Sequence, residues 1–555
     1  MHPSRLLYLD AAFGSQDEHP QAGAKQNMSG DNSGGNGTHP ESNPLHMSDV
    51  EFDREPGGGV PPGQIDTKQP AGLWVLFITE MWERFSYYGM RALLVLYLIA
   101  STSREVENSD GEMVANVNPG FGWSEDSAYF LYAIYTWAVY LTPIFGGWLA
   151  DKFLGTHRSM LLGGCIIALG HITLAGTELF GITAGEAVSL QTGPGALITF
   201  VTGLALIIIG TGFFKPCVSV MVGQLYGQDD SRRDSGFTIF YMGINLGAFL
   251  SPIVAGTLGE KVGWHWGFGS AAVGMILGLI FYQIYRPRYL AGVGLSPAQI
   301  EQQKDSEGHA VSKVDDAELT RPLNSVDIQR ILVILILAFV GNIFFWAAFE
   351  QAGSSLNVFA DQNTNRMILG YEFPATWYQS VNALTIVICA PFFSMLWVWL
   401  GKRNANPSTP IKFSIGLWLL GLSFIAMVFG ALDAKGGNLA GPHWLLITYI
   451  ICTWGELCLS PVGLSVVTKL APVKLQSLMM GAWFFSFSLA NLLGGLMARY
   501  STKFKPGPNG EPPEASFIIE GLPGFYLVLV IFPVIAGFVI FALSPVLKRM
   551  MHGVK

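Results

Sequence analysis

Four ionisable side chains lie close together in one long apolar segment of the chain. Glu80, Glu83, Arg84 and Arg91 interrupt the run from residue 71 to residue 100, which is otherwise apolar and long enough to span a bilayer as a helix. An unpaired charge inside a membrane costs on the order of several kcal/mol, so such residues usually pair, face a cavity and mark the path of an ion or a substrate. This segment is therefore a candidate proton-handling or substrate-binding site.

The spacing of the charges puts them on one face of the helix. At about 100° per residue, six polar side chains fall within roughly 140° of arc: these are Glu80, Glu83, Arg84, Tyr87, Tyr88 and Arg91. Trp82, Phe85 and Gly89 lie on the opposite face. The alternative is a purely structural salt-bridge cluster between two helices, but two carboxylates, two cations and two tyrosines exceed what a helix contact requires.

The composition is typical of a membrane protein with many spans. Hydrophobic residues make up 50% of the 555 residues and charged residues only 13%, with 65 glycines and 15 tryptophans. The net charge of −8 does not indicate a nucleic-acid partner. The five cysteines lie in apolar runs and no paired-histidine spacing is present, so we expect no disulfide framework, no metal and no other cofactor.

Hydrophobic runs predict an all-α polytopic membrane protein with twelve spans. Residues 1–70 are rich in Gly, Ser, Asn and Asp and are predicted to form a disordered cytoplasmic tail, in which Met28 and Met47 are alternatives to Met1 as the native start. The predicted spans are residues 71–100, 126–151, 159–182, 196–225, 235–259, 268–285, 330–352, 374–400, 412–432, 443–470, 475–500 and 520–546.

The distribution of Lys and Arg predicts that both termini are cytoplasmic. In this orientation, 18 of these residues fall in the inner loops and the C-terminus and seven in the outer loops. A polar cytoplasmic linker at 287–329 is predicted to separate an N-terminal six-helix bundle (71–286) from a C-terminal one (330–548), followed by a tail at 549–555. Six plus six spans are typical of transporters whose site lies between two related halves.

The charged residues inside the spans differ between the two halves. Away from the span ends, the second half has only Glu350 and Glu456, whereas all the cations, including Lys215 on the fourth span, belong to the first half. A cavity between such walls suits a zwitterion with separated charges better than a simple anion or a sugar. The alternative is that the opposite charges only hold the halves together.

The direction of each span predicts two charge pairs. Arg91 and Glu350 each lie late in a span that runs outward, so we expect them at the outer side of the cavity. Lys215 lies late in a span that runs inward, with Glu456 as a candidate partner nearer the cytoplasm. An outer pair and an inner pair that close alternately would give alternating access.

Several less specific side chains complete the candidate site. Trp346, Trp483 and Tyr140 are candidates to line side-chain pockets, although ordinary packing is the commoner role of aromatic residues in a helix bundle. Asn245 and Asn382 are polar residues within spans, and they either bind a ligand or link helices.

These residues resemble the motifs of a known transporter family. The segment Glu80-x-x-Glu83-Arg84-Phe85-x-Tyr87-Tyr88-Gly89 is similar to the first-helix motif of the proton-dependent oligopeptide transporters, a branch of the major facilitator superfamily. Three other segments resemble the family's fourth-helix and fifth-helix signatures and the superfamily's motif between helices two and three: Gly210-x-Gly212-x-x-Lys215-Pro216, Phe240-Tyr241-x-x-Ile244-Asn245-x-Gly247 and Gly147-x-x-x-Asp151-Lys152-x-x-Gly155. The resemblance covers about residues 71 to 550 and implies a fold of the major-facilitator type.

The resemblance also implies roles for individual residues. Those that would couple protonation to transport are Glu80, Glu83, Arg84 and Lys215. Those that would face the carboxylate of a peptide are Arg84, Lys215 and Tyr87 or Tyr88, and those that would receive its amino group are Glu456, Asn245 and Asn382. The pocket would be lined by Tyr140, Trp346, Ser460 and Trp483. Arg91 with Glu350 would form the outer gate pair, and Lys215 with Glu456 the inner one.

Two features of the chain differ from some members of the family. Many bacterial members have two extra helices between the halves, whereas the polar linker here predicts twelve spans rather than fourteen. Animal members place a histidine in helix two, where this chain has Ala133. Proton coupling is therefore expected to depend on the carboxylates.

The sequence thus predicts a proton-coupled symporter that imports di- and tripeptides by alternating access. It is expected in the bacterial inner membrane, as a monomer within the lipid bilayer, with peptides and protons as its partners. The alternative is a proton symporter of the same family for nitrate, an amino acid or a peptide-like compound. An ion-pumping or redox enzyme is not expected, because the sequence has no paired intramembrane histidines and no cofactor motif.

Overall fold

Twelve long helices account for most of the computed structural model, which describes residues 68–107, 113–227, 230, 232–296, 299, 321–507 and 510–554. The predicted tail up to residue 67, with its alternative start residues, lies outside this described part. The helices are α1 (Ala71–Ile99), α2 (Glu125–Leu149), α3 (Thr156–Ala175), α4 (Pro194–Gly223), α5 (Arg233–Lys261), α6 (Trp264–Tyr289), α7 (Ser325–Gln362), α8 (Trp377–Lys402), α9 (Thr409–Asp433), α10 (His443–Leu470), α11 (Gln476–Ser501) and α12 (Leu522–Met550).

Eleven of these helices are long and apolar enough to cross a membrane. Among the described helices of spanning length, α1 alone does not meet that composition, because Glu80, Glu83, Arg84 and Arg91 interrupt its apolar run. Its 29 residues nevertheless suffice for a span. All four charged side chains are buried inside the bundle, which removes them from the lipid.

The seventh helix is not uniform. It begins at a capping box, in which the side chains of Asn324 and Asp327 each accept a hydrogen bond from the other's backbone amide. It then alternates between α-helical segments (Ser325–Ile336, Ile343–Phe349, Ser355–Gln362), a π-helical turn (Leu337–Asn342) and a 3-10 turn (Glu350–Gly353). Such irregular turns are frequent at functional sites, and Glu350 is one of the predicted site residues.

The helices form two groups, α1–α6 and α7–α12, which meet along two helix pairs. α2 lies against α11, and α5 lies against α8. The second helix of each group thus contacts the fifth helix of the other, as expected for two structurally repeated halves. The sequence shows no clear residue-level repeat, so this relation is visible only in the packing.

The connections between consecutive helices alternate between the two ends of the bundle. We call the end with the α1–α2, α3–α4, α5–α6, α7–α8, α9–α10 and α11–α12 connections the hairpin face, and the other end the termini face. Three antiparallel hairpins lie at the hairpin face: β1–β2 (Glu105–Glu107, Met113–Ala115), β3–β4 (Met367–Ile368, Tyr371–Glu372) and β5–β6 (Ser516–Phe517, Ile519–Glu520). The prediction that this face is extracellular rests on the Lys and Arg distribution.

The linker predicted at 287–329 is shorter at both ends in the structure. After α6, Leu290 and Val293 are buried against the N-terminal half, and the amide of Gly294 donates a 2.9 Å hydrogen bond to Oε1 of Gln224. α7 begins five residues earlier than predicted because of its capping box. The first residues of the predicted linker therefore pack with the N-terminal half, and its last residues belong to α7 of the C-terminal half.

Candidate functional site

Two glutamates hold one arginine on α1. Nε of Arg84 lies 2.7 Å from Oε1 of Glu80, to which it donates a hydrogen bond, and 2.9 Å from Oε2 of Glu83. These three side chains are at most 8% exposed. Because Arg84 has two carboxylate neighbours, protonation of one of them would leave the buried cation paired with the other.

Lys215 of α4 is the cation predicted to act with this cluster. Its Nζ lies 3.5 Å from the ring centroid of Tyr140, a contact that stabilises a desolvated cation by about 2 kcal/mol. The ring of Tyr140 in turn stacks on Phe487 of α11, with 6.2 Å between the centroids. Lys215 is therefore connected to the second half through two aromatic rings.

The predicted outer pair is formed in this conformation. Nη2 of Arg91 lies 2.7 Å from Oε2 of Glu350, and both side chains are at most 6% exposed. The pair joins α1 to the 3-10 turn of α7. Gly353, in the same turn, leaves space for the guanidinium, since a Cβ atom there would lie only 2.9 Å from Nε of Arg91. The function of the Arg91 to Glu350 pair as a gate stays a prediction.

Further ion pairs join the two halves at the hairpin face. They link Glu125 to Lys505, Asp126 to Arg499 and Lys261 to Glu372, at 2.6, 2.8 and 2.9 Å. Nδ2 of Asn357 also donates a 2.8 Å hydrogen bond to the carbonyl of Ala92. The two halves are therefore held together at this face.

Glu260 makes the most extensive of these contacts between the halves. Its side chain, which is 8% exposed, accepts hydrogen bonds from the amides of Ala375 and Thr376 and from Oγ1 of Thr376, at 2.7 to 3.0 Å. Arg366 lies 3.6 Å from the same carboxylate. A carboxylate of α5 thus satisfies amide donors at the N-terminus of α8, where a negative charge is favourable.

The predicted inner pair has other partners in this conformation. Oε2 of Glu456 accepts a 2.9 Å hydrogen bond from Nδ2 of Asn382, which also donates to Oγ1 of Thr453 at 2.9 Å. In the part of the chain that the structure describes, Lys215 and Glu456 form no ion pair; Lys215 lies over Tyr140 instead. An open inner pair is the arrangement expected while the outer pair is closed. Because this is a single conformation, the alternation of the two pairs stays a prediction.

A cavity of about 190 Å³ lies between the halves. The predicted site residues on its wall are Tyr88, Arg91, Tyr140, Asn245, Trp346, Glu350, Asn382, Glu456 and Ser460. Nε1 of Trp346 and Nε2 of Gln379 belong to the same wall and have no hydrogen-bond partner among the described residues. These two donors, the Glu456 carboxylate and Oδ1 of Asn382 can therefore bind a polar ligand.

The other predicted site residues are not part of this wall. They are Glu80, Glu83, Arg84, Tyr87, Lys215 and Trp483. Trp483 packs edge-on against Phe413, at 6.3 Å, and its ring fills the space beside Gly463. With only 2% of its surface exposed, Trp483 is a packing residue in this conformation, and a contact with a molecule in the cavity would require its neighbours to move.

Several residues of the site were not predicted. Gln379 precedes Asn382 by three residues and Cys452 precedes Glu456 by four, so helical periodicity places each on the face of a predicted residue. Tyr241 belongs to the fifth-helix motif already noted. Glu260 lies at the end of its span, where sequence reasoning expects an ordinary solvent-exposed charge, and no signal in the sequence indicates its contact with α8.

Two reciprocal six-helix halves, a polar cavity between them and a closed charge pair on one side define a membrane transporter of the major-facilitator type. The model of the POT family matches residues 157–292 and 298–510, which is more than half of the chain. The chain belongs to the POT family. This finding confirms the resemblance of the motifs and the predicted fold class.

Curated relatives match over most of the chain. A transporter of Bacillus subtilis named YclF is 40% identical, over 87% of this chain and 96% of its own length. The peptide transporter YePEPT of Yersinia enterocolitica is 37% identical over 79% of this chain and 89% of its own, and a di-/tripeptide transporter of Lactococcus lactis subsp. cremoris is 37% identical over 77% and 88%. The chain is a multi-pass integral membrane protein of the bacterial plasma membrane.

Solved structures of the family are similar as well. A mutant of the peptide transporter POT in complex with alafosfalin is 36% identical, has a TM-score of 0.70 and matches over 89% of this chain and 98% of its own. A POT family transporter in complex with 5-aminolevulinic acid is 30% identical, with a TM-score of 0.69 and coverages of 86% and 97%.

Proposed function

We propose that this protein is a proton-coupled symporter that imports di- and tripeptides by alternating access. The proposal is supported by its membership of a family of transporters and by relatives that are named di-/tripeptide transporters. The observation that carries it is the cavity between the halves: the carboxylate of Glu456 lies on its wall in the second half, and Nζ of Lys215 in the first half lies over the ring of Tyr140, a residue of the same wall. A zwitterionic substrate fits this distribution of charge.

The amino end of the peptide would bind to the second half. Glu456 supplies a negative charge, and Nδ2 of Asn382 already holds that carboxylate in place, which leaves Oδ1 of Asn382 free to accept from an ammonium group. Ser460 lies one helical turn beyond Glu456 on the same face of α10 and on the same cavity wall. These groups would fix the orientation of the peptide.

The carboxyl end would bind to the first half once a proton has been taken up. In this conformation Arg84 is engaged by Glu80 and Glu83, and Lys215 lies against Tyr140. A proton on either glutamate removes one of the two negative charges that hold Arg84. The guanidinium then gains more from a peptide carboxylate than from its remaining internal partner, which couples protonation to substrate binding.

Substrate binding would bring the two halves together and change which face is closed. The hairpin face is closed here by contacts that include the Arg91 to Glu350 pair, so from this conformation a peptide would have to leave through the termini face. After release of peptide and proton, Arg84 again pairs with both glutamates. Reopening of the hairpin face would require the Arg91 to Glu350 pair to separate while Lys215 and Glu456 approach each other.

The proposal involves no covalent step, no cofactor and no metal, and therefore no enzymatic activity. The partners are di- and tripeptides, protons and the lipid bilayer, and the protein would work as a monomer. A related symport of another small zwitterion is the second candidate function, because a similar structure holds 5-aminolevulinic acid.

Uptake into proteoliposomes tests the proposal. The purified full chain is reconstituted and given an inward proton gradient, and uptake of radiolabelled dialanine is measured with and without a protonophore. Di- and tripeptides are expected to compete, whereas tetrapeptides, nitrate and single amino acids are expected to compete weakly. Competition by 5-aminolevulinic acid alone would favour the second candidate, and uptake that ignores the protonophore would contradict proton coupling.

A further inference from the structure

A single amide side chain ties the 3-10 turn of α7 (Glu350–Gly353) to α11. Nε2 of Gln351 donates hydrogen bonds to the carbonyl of Ala347, at 3.1 Å, and to that of Gly494 on α11, at 2.8 Å. Its Oε1 accepts a 2.6 Å hydrogen bond from Oγ of Ser355. Ala347 precedes the turn and Ser355 follows it, so the amide joins α11 to the chain on both sides of the turn.

Gln351 has no donor left for a substrate. A glutamine amide has two N–H donors, and both are used here. The side chain is 0% exposed and does not belong to the cavity wall, although its neighbours Glu350 and Ala352 do. One of its bonds goes to a carbonyl near the end of the segment Ile343–Phe349, where an α-helix leaves carbonyls without partners of its own. The contacts of Gln351 therefore shape α7 and do not bind a ligand.

Two adjacent glycines let α11 approach helices of both halves. A Cβ atom on Gly494 would lie 2.8 Å from the carbonyl oxygen of Ala347 and 3.3 Å from Cβ of Glu350. One on Gly495 would lie 2.5 Å from Cα of Ala133 on α2. Larger residues at these positions would separate the helices. α11 thus meets the 3-10 turn of its own half directly beside its contact with the other half.

The geometry of the turn decides where Glu350 points. A 3-10 turn advances by about 120° per residue and an α-helix by about 100°, so each residue that reverted to α-helical geometry would change direction by about 20°. Oε2 of Glu350 lies 2.7 Å from Nη2 of Arg91, and a contact this short depends on the direction of both side chains. The turn is therefore fixed between the guanidinium of Arg91 and the backbone of α11.

We propose that Gln351 is a positioning residue, which holds the 3-10 turn against α11 and so directs the carboxylate of Glu350 toward Arg91. The inference rests on the proposed alternating access and adds the part that links the outer charge pair to the contact between α2 and α11. When α11 moves relative to α2, the turn moves with it, because the amide of Gln351 connects them. The pair then separates together with the contact between the halves and not independently of it.

Distance measurements between spin labels test this role. Labels are placed at Val114 and Leu369, which are exposed on hairpins of the two halves, in the full chain reconstituted in lipid. Gln351→Met keeps a similar side-chain length but has no N–H donor, so the turn loses its bond to α11. The ratio of long to short distances is expected to rise by about tenfold, because the closed state loses buried hydrogen bonds. A ratio that stays unchanged would overturn the proposal.

A second contact between the same two helices supplies the control. Nδ2 of Asn342, in the π-helical turn of α7, donates a 2.8 Å hydrogen bond to Oγ of Ser486 on α11. Asn342→Leu removes this bond at an equally buried site, about two turns of helix from Glu350. It is expected to lower the melting temperature about as much as Gln351→Met, while the ratio of distances stays as in the unmodified protein. An equal rise in both variants would reduce Gln351 to a packing residue.

A double variant shows whether Gln351 acts through Glu350. In Glu350→Gln the outer pair has lost one of its charges, so the further substitution Gln351→Met is expected to change the ratio of distances by less than about twofold. A further rise of about tenfold would mean that Gln351 acts independently of the pair, and the positioning role would be wrong.

Gly494→Ala reaches the same contact from the side of α11 and replaces Gln351→Met if that variant does not fold. The added Cβ lies 2.8 Å from the carbonyl oxygen of Ala347, so α11 must move away from the turn and the same rise is expected. Gly481→Ala on α11, where the added atom would meet no neighbouring atom within 4 Å, is its control. Absence of these shifts overturns the positioning role and leaves peptide transport standing. Absence of peptide uptake by the unmodified protein, with the shifts present, overturns peptide transport alone.

Discussion

Nη2 of Arg91 lies 2.7 Å from Oε2 of Glu350, and this contact joins α1 of one half to the 3-10 turn in α7 of the other. Both charges are removed from water. We expect the contact to break when the hairpin face opens, in which case it stabilises one conformation of the transporter relative to the other. Other contacts between the halves surround it. Because these keep the halves joined when this one contact is removed, its separate contribution to stability can be measured.

We expect the Arg91 and Glu350 substitutions to be strongly non-additive. Arg91→Ala or Glu350→Ala alone leaves a buried charge without its partner and should destabilise the protein by about 3–5 kcal/mol. The double variant removes both charges and should lose less than the sum of the two. Melting temperatures of the four proteins in detergent give the comparison. The matched control is the pair Asp126 and Arg499, which is 45% and 43% exposed and should contribute little because solvent screens it. Additive losses at Arg91 and Glu350 would contradict the coupling.

Glu260 is expected to hold the hairpin face closed. In Glu260→Ala the amides of Ala375 and Thr376 lose their acceptor, so the closed state should lose stability and the open state should become more populated. Electron-spin distance measurements between labels at Val114 and Leu369, which are exposed on hairpins of the two halves, would report a larger fraction of long distances. Glu520→Gln, at an exposed position of the β5–β6 hairpin on the same face, is the control. An unchanged distance distribution in Glu260→Ala would argue against this role.

Glu83→Gln is expected to uncouple transport from the proton gradient. Glutamine keeps the size of the side chain but neither takes up a proton nor carries the charge that holds Arg84. Uptake driven by a proton gradient should therefore be lost, while exchange of peptide across the membrane without a gradient continues. Both activities are measured in proteoliposomes, with Glu520→Gln, an exposed residue of the β5–β6 hairpin, as the control. Full gradient-driven uptake by Glu83→Gln would refute its coupling role.

Asn382→Ala is expected to weaken the binding of peptides that have a free amino group. The substitution removes the 2.9 Å hydrogen bond to Glu456 and an acceptor for the ammonium group, which together should raise KM by about tenfold. N-acetylated peptides, which lack that charge, should bind weakly to both proteins and show little difference. Thr453→Val removes the other partner of Asn382 and serves as the control with a smaller effect. Equal effects on free and acetylated peptides would place the amino group elsewhere.

The hairpin-face contact of Glu372 is expected to weaken in acid. Partial burial raises the pKa of this carboxyl, but the hydrogen bond from Lys261 and the charges of Arg366 and Lys261 lower it by more, so the pKa lies below its usual value. The stabilisation is therefore present above the unfolded pKa and is lost as the pH falls through the folded one. Because the group is half exposed, less than about 1 kcal/mol is involved. The melting temperature should thus fall slightly more between pH 7 and pH 4 in the unmodified protein than in Glu372→Gln; the reverse order would contradict the assignment.

Part of the site could be predicted because helical geometry is local. The charges of α1 share a face at 3.6 residues per turn, and the alternating direction of the spans is enough to bring Arg91 and Glu350 to the same depth. The family resemblance, rather than helical geometry, implied that Asn382 and Glu456 act together, and a hydrogen bond joins them. The predictions for α1 and for the Arg91 to Glu350 pair need the order and length of the spans but not their detailed packing.

Other parts depend on packing that local sequence does not specify. Trp483 is an aromatic residue of the type expected to line a pocket. Its ring is nevertheless buried beside Gly463, because of how α10 and α11 are rotated about their axes. Glu260 looks like an ordinary charge at a helix end until α8 is placed against α5. The irregular turns of α7 also appear only in the structure.

The sequence by itself determined the twelve helices, the burial of charge on the first of them and the family to which the chain belongs, because hydrophobic length and residue spacing are properties of each segment alone. Only the tertiary structure decided which face is closed, how Glu260 meets α8 and how Gln351 joins α7 to α11. The physical reason is that these features follow from the tilt, rotation and close approach of helices. Such geometry depends on contacts between residues far apart in the chain, such as Gln351 and Gly494.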